Sequence, residues 1–181
     1  GNVGRWLSNA SSSGGCWFER GLRLDNLDHL RPWMPWATAD AATEAGQREF
    51  TERTATHWEA GTDFVFLMLV GDQTIVGVTG LHRRVGDDGL EIGYWVDRNH
   101  TRRGYATAAA RALTYLALGI PGVERVEIHC DQANVASQAV PHRLGYQLDR
   151  VDPVAIDAPG EIGKQMVWVW RGKRSGPSGR R

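Results

Sequence analysis

The chain has 181 residues, of which 41% are hydrophobic and 23% charged, a composition typical of one soluble globular domain. Its 21 basic residues balance its 21 acidic residues, so no net charge favours binding to nucleic acid or to an anionic membrane. No apolar run approaches the roughly 18–20 residues of a membrane span, and Cys16 and Cys130 lack the spacing of a zinc site or a disulfide framework. We therefore expect a cytoplasmic protein without a metal and with both cysteines reduced.

The two ends of the chain differ in composition from its centre. Residues 1–15 are rich in Gly, Ser and Asn, which predicts a flexible arm. Residues 171–181 are basic and predict a flexible tail. We expect residues 16–170 to form a single domain.

The first half of this domain predicts two helices followed by three strands. Leucines spaced three apart within residues 24–30 indicate one helix, which the prolines of RPWMPW end. Residues 40–60 predict a second helix that stops at Gly61. The runs DFVFLMLV, TIVGVTGLH and LEIGYWVD follow, separated by the turns GDQ and RRVGDDG, and this pattern is typical of an antiparallel meander.

The second half alternates helices and strands. Residues 105–118 predict a helix that ends at Gly119, and VERVEIHCD predicts the next strand. NVASQAVPHRLGY predicts a short helix that stops at Gly145, and a hairpin around DAPGEIG closes the domain. The element order indicates an α/β (α+β mixed) fold in which a mixed sheet carries helices on both faces.

The stretch TRRGYATAA, where the 105–118 helix begins, has the chemistry of an anion site. A helix start leaves about four backbone N–H groups unpaired, and the helix dipole adds positive partial charge there. Gly104 lacks a Cβ and lets a ligand approach the backbone, while Arg102 and Arg103 add charged donors. The spacing fits neither the GxGxxG fingerprint nor a P-loop, and a plain capping glycine is the alternative interpretation.

Asn134 and Ser137 lie three residues apart where the next predicted helix begins, so they share one face, although each could simply cap that helix. The succession of strand, TRRGYA, helix, strand, NVAS, helix and GY resembles the GNAT family of N-acetyltransferases. Within that family, EIGYWV and HLRPWMPW fit the ribosomal-protein (RimJ/RimL-like) branch. The resemblance covers about residues 24–170.

The resemblance implies a central mixed, mostly antiparallel sheet and acetyl-CoA as co-substrate. The backbone of Trp95 and Val96 would pair with the pantetheine arm like an added strand, and a free N–H there would polarise the thioester carbonyl. Asn134 would contact the same arm. The expected partners are acetyl-CoA and an amine acceptor, with a homodimer as the expected assembly. The pyrophosphate would be held by Arg102, Arg103, Gly104, Tyr105, Ala106 and Thr107.

The sequence departs from the family pattern at three places. Thr101 stands where members usually have Gln or Arg. Pro141 stands where they usually have Ala or Tyr, so the tyrosine that some members use as general acid is missing, and the proline should kink its helix or loosen a turn. Members also begin with a strand, which here is either abbreviated within CWFERGLRL or missing.

Acetyl transfer to an amine needs a base for the ammonium and a proton for the leaving thiolate. Glu91 is the first candidate base and Asp157 the second, although either could be an ordinary strand-edge or turn carboxylate. His82 and His129 are further candidates because imidazole ordinarily titrates near neutral pH. Ser137 is the candidate proton donor.

Trp33 and Trp36, set between prolines, are candidates for a rigid wall that recognises the acceptor, and packing against the helix containing Trp58 is the alternative. The leading hypothesis is an acetyl-CoA-dependent N-acetyltransferase that acts on the N-terminal amine of a protein or peptide. A small-molecule amine, such as an antibiotic or a polyamine, is the alternative acceptor. A non-catalytic acyl-CoA-binding module is the alternative of another class.

Overall fold

The computed structural model describes residues 7–9, 25–71 and 74–172, and a seven-stranded sheet forms its centre. The strands are β1 (Leu7–Asn9), β2 (Asp63–Val70), β3 (Thr74–His82), β4 (Gly89–Val96), β5 (Arg125–Asp131), β6 (Gln147–Pro153) and β7 (Lys164–Arg171). They lie in the order β1-β2-β3-β4-β5-β7-β6. Only the β4–β5 pair is parallel within this sheet, which confirms the expected mixed, mostly antiparallel arrangement.

Helical segments connect these strands. They are α1 (residues 25–30), α2 (Glu44–Ala60), α3 (Tyr105–Leu118) and α4 (Val135–Leu144). The helix expected over residues 40–60 begins later, because the side-chain oxygen of Thr43 accepts the N–H of Gly46 at 3.1 Å and caps α2. Asp40–Ala42 form a separate 3₁₀ turn before this cap. Gly61, with a φ of 69°, ends α2 as predicted.

Residues alternate along β4 and contribute to two cores on opposite faces of the sheet. Leu90 packs in a cluster with Leu113 of α3 and Val140 of α4. Trp95 packs on the other face in a cluster with Leu30 of α1. Helices therefore cover both faces, and β4 is placed between two packed layers.

Two predictions about the ends of the chain need correction. Leu7–Asn9, inside the predicted flexible arm, pair antiparallel with β2 and form an edge strand. The edge of β2 offers unpaired backbone N–H and C=O groups that a short segment can join, and composition does not reveal such pairing. Arg171, the first residue of the predicted tail, is the last residue of β7. The abbreviated strand expected within residues 16–24 and the tail residues 173–181 lie outside the described residues.

Candidate active site

Strands β4 and β5 begin side by side and then separate. Their parallel pairing covers three residue pairs and ends with Glu91 opposite Glu127. β4 continues along β3 as far as Val96, while β5 continues along β7 as far as Asp131. The β5-facing backbone of β4 over residues 92–96 therefore has no strand partner among the described residues. This open edge can accept an extended chain through backbone hydrogen bonds.

The open edge leads to the first turn of α3. The N–H of Ala108 donates to the carbonyl oxygen of Gly104 at 2.9 Å, so the N–H groups of residues 105–107 precede the first α-helical hydrogen bond. Among the described residues, no side chain caps this end and no acid occupies its first turn. Arg102 and Arg103, both exposed, come just before it. The arrangement attracts an anion to the end of the open edge.

The conformation of this loop explains its glycine. Gly104 has a φ of 82°, and a Cβ built on it would meet nothing within 4 Å. The backbone angle, and not a neighbouring atom of the protein, therefore requires glycine, and the space in front of it is open to a ligand. Arg102 has a φ of 61°, which costs a non-glycine residue roughly 1–2 kcal/mol. Such strain is typical of ligand-binding loops.

A buried network anchors the loop to α1. The Asn26 Nδ2 donates to Oδ1 of Asp97 at 2.8 Å, and the Asn26 Oδ1 accepts the N–H of Arg98 at 2.7 Å. Nδ1 of His100 lies 2.5 Å from the other oxygen of Asp97. Burial raises the pKa of Asp97, but the hydrogen bonds from Asn26 and His100 outweigh burial and lower it. The charged carboxylate therefore fixes the chain between the open edge and α3.

Two hydroxyl groups meet between β4 and α4. The Tyr94 hydroxyl oxygen lies 3.1 Å from both Oγ and the carbonyl oxygen of Ser137. The N–H of Ser137 donates to Oδ1 of Asn134 at 3.0 Å, so Asn134 does cap α4 while its side-chain nitrogen is left for other contacts. Burial raises the pKa of Tyr94 well above its usual range, so its phenol stays protonated.

Pro141 accounts for the contact between Tyr94 and Ser137. In a regular helix the carbonyl of residue 137 would accept the N–H of residue 141, but proline has no N–H. The hydroxyl of Tyr94 donates to this freed carbonyl instead. The helix α4 runs through Pro141 from Val135 to Leu144, so the expected loosening is a missing hydrogen bond inside a continuous helix.

A cleft of about 1200 Å³ approaches the open edge from the side of α2. Its outer wall comes from the segment before α2 and from α2 itself, and its floor comes from β2, β3, β4 and β5. It reaches α4 at the point where the two hydroxyl groups meet. Its lining includes Trp33, Trp36, Asp63, Gly80, His82, Glu91, Gly93, Tyr94, His129, Asn134 and Ser137.

Titratable side chains form a row across the cleft floor. Asp63 pairs opposite His82, His82 opposite Glu91, and Glu91 opposite Glu127 on four neighbouring strands. Directly opposed residues in a sheet share one face, so these four side chains lie side by side. Asp63, His82 and Glu91 line the cleft.

Glu91 is held by Arg84 within this row. The guanidinium of Arg84 donates to both oxygens of Glu91, at 2.7 and 2.6 Å. Burial raises the pKa of Glu91, but the hydrogen bonds and charge of Arg84, with a smaller contribution from His129, outweigh burial and lower it. A carboxylate with a lowered pKa is a weaker proton acceptor near neutral pH.

A family comparison accounts for this combination of open edge, helix start and cleft. Residues 20–147, more than half of the chain, match the family described as Acetyltransferase (GNAT) domain. The chain belongs to the GNAT acetyltransferase family. Its members are N-acetyltransferases that use acetyl-CoA, as the resemblance in the sequence implied.

Individual relatives support the same assignment. An N-acetyltransferase of Bacillus subtilis (strain 168), named YjdG and described as uncharacterized, is 32% identical over 90 residues, which are 49% of this chain and 54% of that protein. The match thus spans about half of that relative's length. The microcin C7 self immunity acetyltransferase MccE, solved with acetyl-CoA and AMP, has a TM-score of 0.83 at 19% identity, covering 93% of this chain and 94% of that chain. The acetyltransferase that modifies the N-terminal serine of 50S ribosomal subunit protein L7/L12 from Salmonella typhimurium has a TM-score of 0.80 at 19% identity. This match covers 94% of this chain and 97% of that chain. At these identities the solved structures show a common fold.

The sequence-predicted residues of this GNAT domain fall into separate groups. Glu91, Ser137, Asn134, Trp33 and Trp36 line one cleft. The residues expected to hold the pyrophosphate form the start of α3 and the loop before it, outside the cleft lining. Both groups meet at the open edge.

Two other predicted residues have side chains outside the cleft lining, although the backbone of Trp95 does lie on the open edge. Asp157 is exposed in the loop between β6 and β7, outside the cleft lining, and its N–H donates to Glu161 at 2.9 Å. The side chain of Trp95 is buried, with its ring centroid 6.3 Å from that of Trp36. Trp36 therefore packs on β4, while Trp58 packs its ring against β2.

Within the described residues, no group of three or more His, Cys, Asp or Glu side chains is placed to hold a metal ion. No helix of residues 25–71 or 74–172 combines the length and apolar character needed to cross a membrane. Cys130 is a buried free thiol whose pKa burial raises to about 11, so it stays protonated at neutral pH. Cys16 lies outside the described residues.

Proposed function

We propose that this GNAT domain transfers the acetyl group of acetyl-CoA to the N-terminal amine of a protein or peptide. The observation that carries the proposal is the continuity of three features. The open edge of β4 runs into the anion-attracting start of α3, and the cleft reaches the same edge from the other side. A donor bound along the first two features would present its thioester to an acceptor that enters through the third.

The donor side would bind acetyl-CoA mainly through backbone groups. The N–H groups of Tyr105, Ala106 and Thr107 have no partner among the described residues and suit a pyrophosphate, with Arg102 and Arg103 adding charge. The backbone near Trp95 and Val96 would pair with the amides of the pantetheine arm. Asn134 would donate to the same arm from the facing helix. Thr101, which departs from the family pattern, instead donates its hydroxyl to the carbonyl oxygen of Arg98 at 3.2 Å.

The hydroxyl pair suits the departing thiolate. Ser137 would donate its proton as the C–S bond breaks, and Tyr94 would support it through the 3.1 Å contact. Burial holds Tyr94 protonated, and its one O–H, which donates to the carbonyl oxygen of Ser137, would turn to Oγ as Ser137 gives up its proton. Tyr94 would thus supply a tyrosine hydroxyl that Pro141 cannot supply. A free N–H of the open edge would stabilise the oxyanion.

The acceptor side suits a peptide because the cleft is long and open and has aromatic walls. Trp33 and Trp36 line it on the segment before α2, and Trp36 is 37% exposed. Glu91 lies on the cleft floor with its charge paired to that of Arg84. The Salmonella typhimurium neighbour that modifies an N-terminal serine supports this acceptor class. The MccE neighbour, solved with AMP, favours a small-molecule amine as the second candidate.

The test has two stages on the wild-type chain. Acetyl-CoA should raise the melting temperature saturably, because a ligand at about 100 times its Kd adds roughly 2.7 kcal/mol, whereas 3′,5′-ADP should raise it less. Release of free thiol is then followed with a short peptide beginning with serine, the same peptide already N-acetylated, and spermidine. Thiol release with the free peptide alone supports the proposal.

Other outcomes separate the alternatives. Thiol release with spermidine and not with the peptide would replace the peptide by a small-molecule acceptor. A saturable melting shift without thiol release for any amine would indicate a non-catalytic acyl-CoA-binding module. The absence of any shift would remove the donor-site proposal.

Cytoplasmic location and homodimer assembly stand as further proposals, and a sedimentation measurement would test the homodimer.

A further inference from the structure

One histidine on the cleft floor is held as a general base should be. Nδ1 of His82 lies 2.5 Å from Oδ1 of Asp63, directly across from it on β2. The other oxygen of Asp63 lies 2.9 Å from Nδ1 of His57. Burial raises the pKa of Asp63, but the hydrogen bond and charge of His82 and the charge of His57 outweigh it and lower that pKa. Asp63 is therefore a carboxylate, which can only accept, so the proton of a neutral His82 lies on Nδ1.

The second ring nitrogen of His82, Nε2, is thereby left without a proton and lies over Gly93 of the open edge. Among the described residues, Nε2 has no hydrogen-bond partner. A Cβ built on Gly93 of β4 would lie 3.2 Å from Nε2, and one on Gly80 would lie 2.9 Å from it. These two glycines oppose each other on the floor, so the ring lies in the space that they leave. Gly93 belongs to the open edge, two residues beyond Glu91, where the β4–β5 pairing ends.

Two other candidate bases in the cleft have charged neighbours: Glu91 is fully paired, and the free ring nitrogen of His129 faces the Glu91 carboxylate. Glu91 accepts two hydrogen bonds from Arg84. Nε2 of His129 lies 2.7 Å from Glu127, and its Nδ1 lies 3.6 Å from Glu91. The charged and titratable groups around His82 are Asp63 on β2, His57 on α2, Glu91 on β4 with its partner Arg84, and His129 on β5.

We infer that His82, oriented by Asp63, is the general base that takes the proton from the acceptor ammonium. The inference rests on the proposed acetyl transfer. The ammonium gives one proton to Nε2 of His82, and the neutral nitrogen adds to the thioester carbonyl carbon. The C–S bond then breaks, and Ser137 delivers its proton to the thiolate. The nitrogen, now bonded to the acetyl carbon, gives its second proton to Ser137. His82 returns its proton to solvent, and Asp63 acts as a positioning residue.

The test compares His82→Asn with the wild-type chain, using the amine that gives the fastest thiol release among the serine peptide and spermidine. The asparagine side-chain nitrogen can still donate to Asp63, but nothing replaces Nε2, so the fold and the acetyl-CoA melting shift should persist. A general base contributes typically 10²–10⁴-fold, so kcat at pH 7 should fall about 10²-fold or more. The deficit should shrink as the pH rises toward the pKa of the acceptor amine, because a neutral amine needs no base.

Asp63→Asn provides a second, independent variant. Its amide can donate to Nδ1 and favour the tautomer with the proton on Nε2, so kcat should fall and the pH profile should change while KM for acetyl-CoA stays the same. His29→Gln, an exposed histidine of α1 outside the cleft lining, is the control and should behave as wild type. Wild-type kcat and pH profile in folded His82→Asn and Asp63→Asn would overturn this inference and leave the proposed function standing. No thiol release by the wild-type chain would overturn both.

Discussion

The two sides of this active site are built from different parts of the chain. The donor side consists of backbone: the open edge of β4 and the N–H groups at the start of α3. The acceptor side consists of side chains that β2, β3, β4 and β5 bring together, such as the row from Asp63 to Glu127. A backbone site is specified by a few neighbouring residues, whereas a side-chain site depends on the register of several strands. Substitutions should therefore be able to impair one side and leave the other intact.

The largest expected effect is on the acceptor side. Gly93→Val would place a branched side chain on the ring of His82, whose Nε2 lies only 3.2 Å from a Cβ at this position. Displacing a catalytic group by about 1 Å can cost on the order of 10²-fold, so kcat should fall by that factor. The melting shift caused by acetyl-CoA should not change. A folded variant with normal kcat, or one that has lost the shift, would contradict the separation.

The reciprocal substitution lies on the donor side. Gly104→Ala imposes a Cβ at a φ of 82° and should move the N–H groups at the start of α3, which weakens acetyl-CoA binding about tenfold for roughly 1–2 kcal/mol of strain. Gly122→Ala is a matched control, because Gly122 has a φ of 84° and also meets nothing within 4 Å. Both variants should melt at lower temperature, but only Gly104→Ala should need more acetyl-CoA in a melting titration. Equal affinities would show that α3 does not hold the donor.

A smaller effect concerns the contribution of Glu91 to the stability of the fold. Its pKa is lowered in the folded protein, so its contribution to stability is fully present above the unfolded value of 4.5 and is lost as the pH falls through the folded value. Glu91→Gln should therefore melt below the wild type at pH 7, by roughly 2–4 °C. This gap should close below about pH 4.5. The effect is limited because Arg84 is largely exposed and its ion pair is screened. A gap that persists at low pH would mean that shape, and not charge, sets the contribution of Glu91.

The same contrast explains what could be predicted from the sequence. Element order, the meander and the helix start at Tyr105 follow from periodicity and glycine positions, which are local properties. The pairing of Asp63 with His82 joins residues 19 positions apart, and its register depends on a bulge at Val76 of β3 that no local pattern shows. Asn26 was hidden in the same way, because a buried polar residue on a leucine-rich helix gives no signal until its partner Asp97 is known.

The smallest expected effect concerns Pro141, whose missing N–H leaves the carbonyl oxygen of Ser137 to Tyr94. Pro141→Ala would restore an N–H that can donate to the carbonyl oxygen of Ser137, in competition with the hydroxyl of Tyr94. Tyr94 would keep its second partner, Oγ of Ser137, so at most one hydrogen bond worth about 0.5–1.5 kcal/mol is lost. We expect Pro141→Ala to lower kcat a few-fold with unchanged acetyl-CoA affinity. Tyr94→Phe should lower kcat at least as far. If the two substitutions act through the same hydroxyl, Pro141→Ala should have no further effect on kcat in the Tyr94→Phe background. Additive losses in this double-mutant cycle would mean that the proline acts on the site by another route.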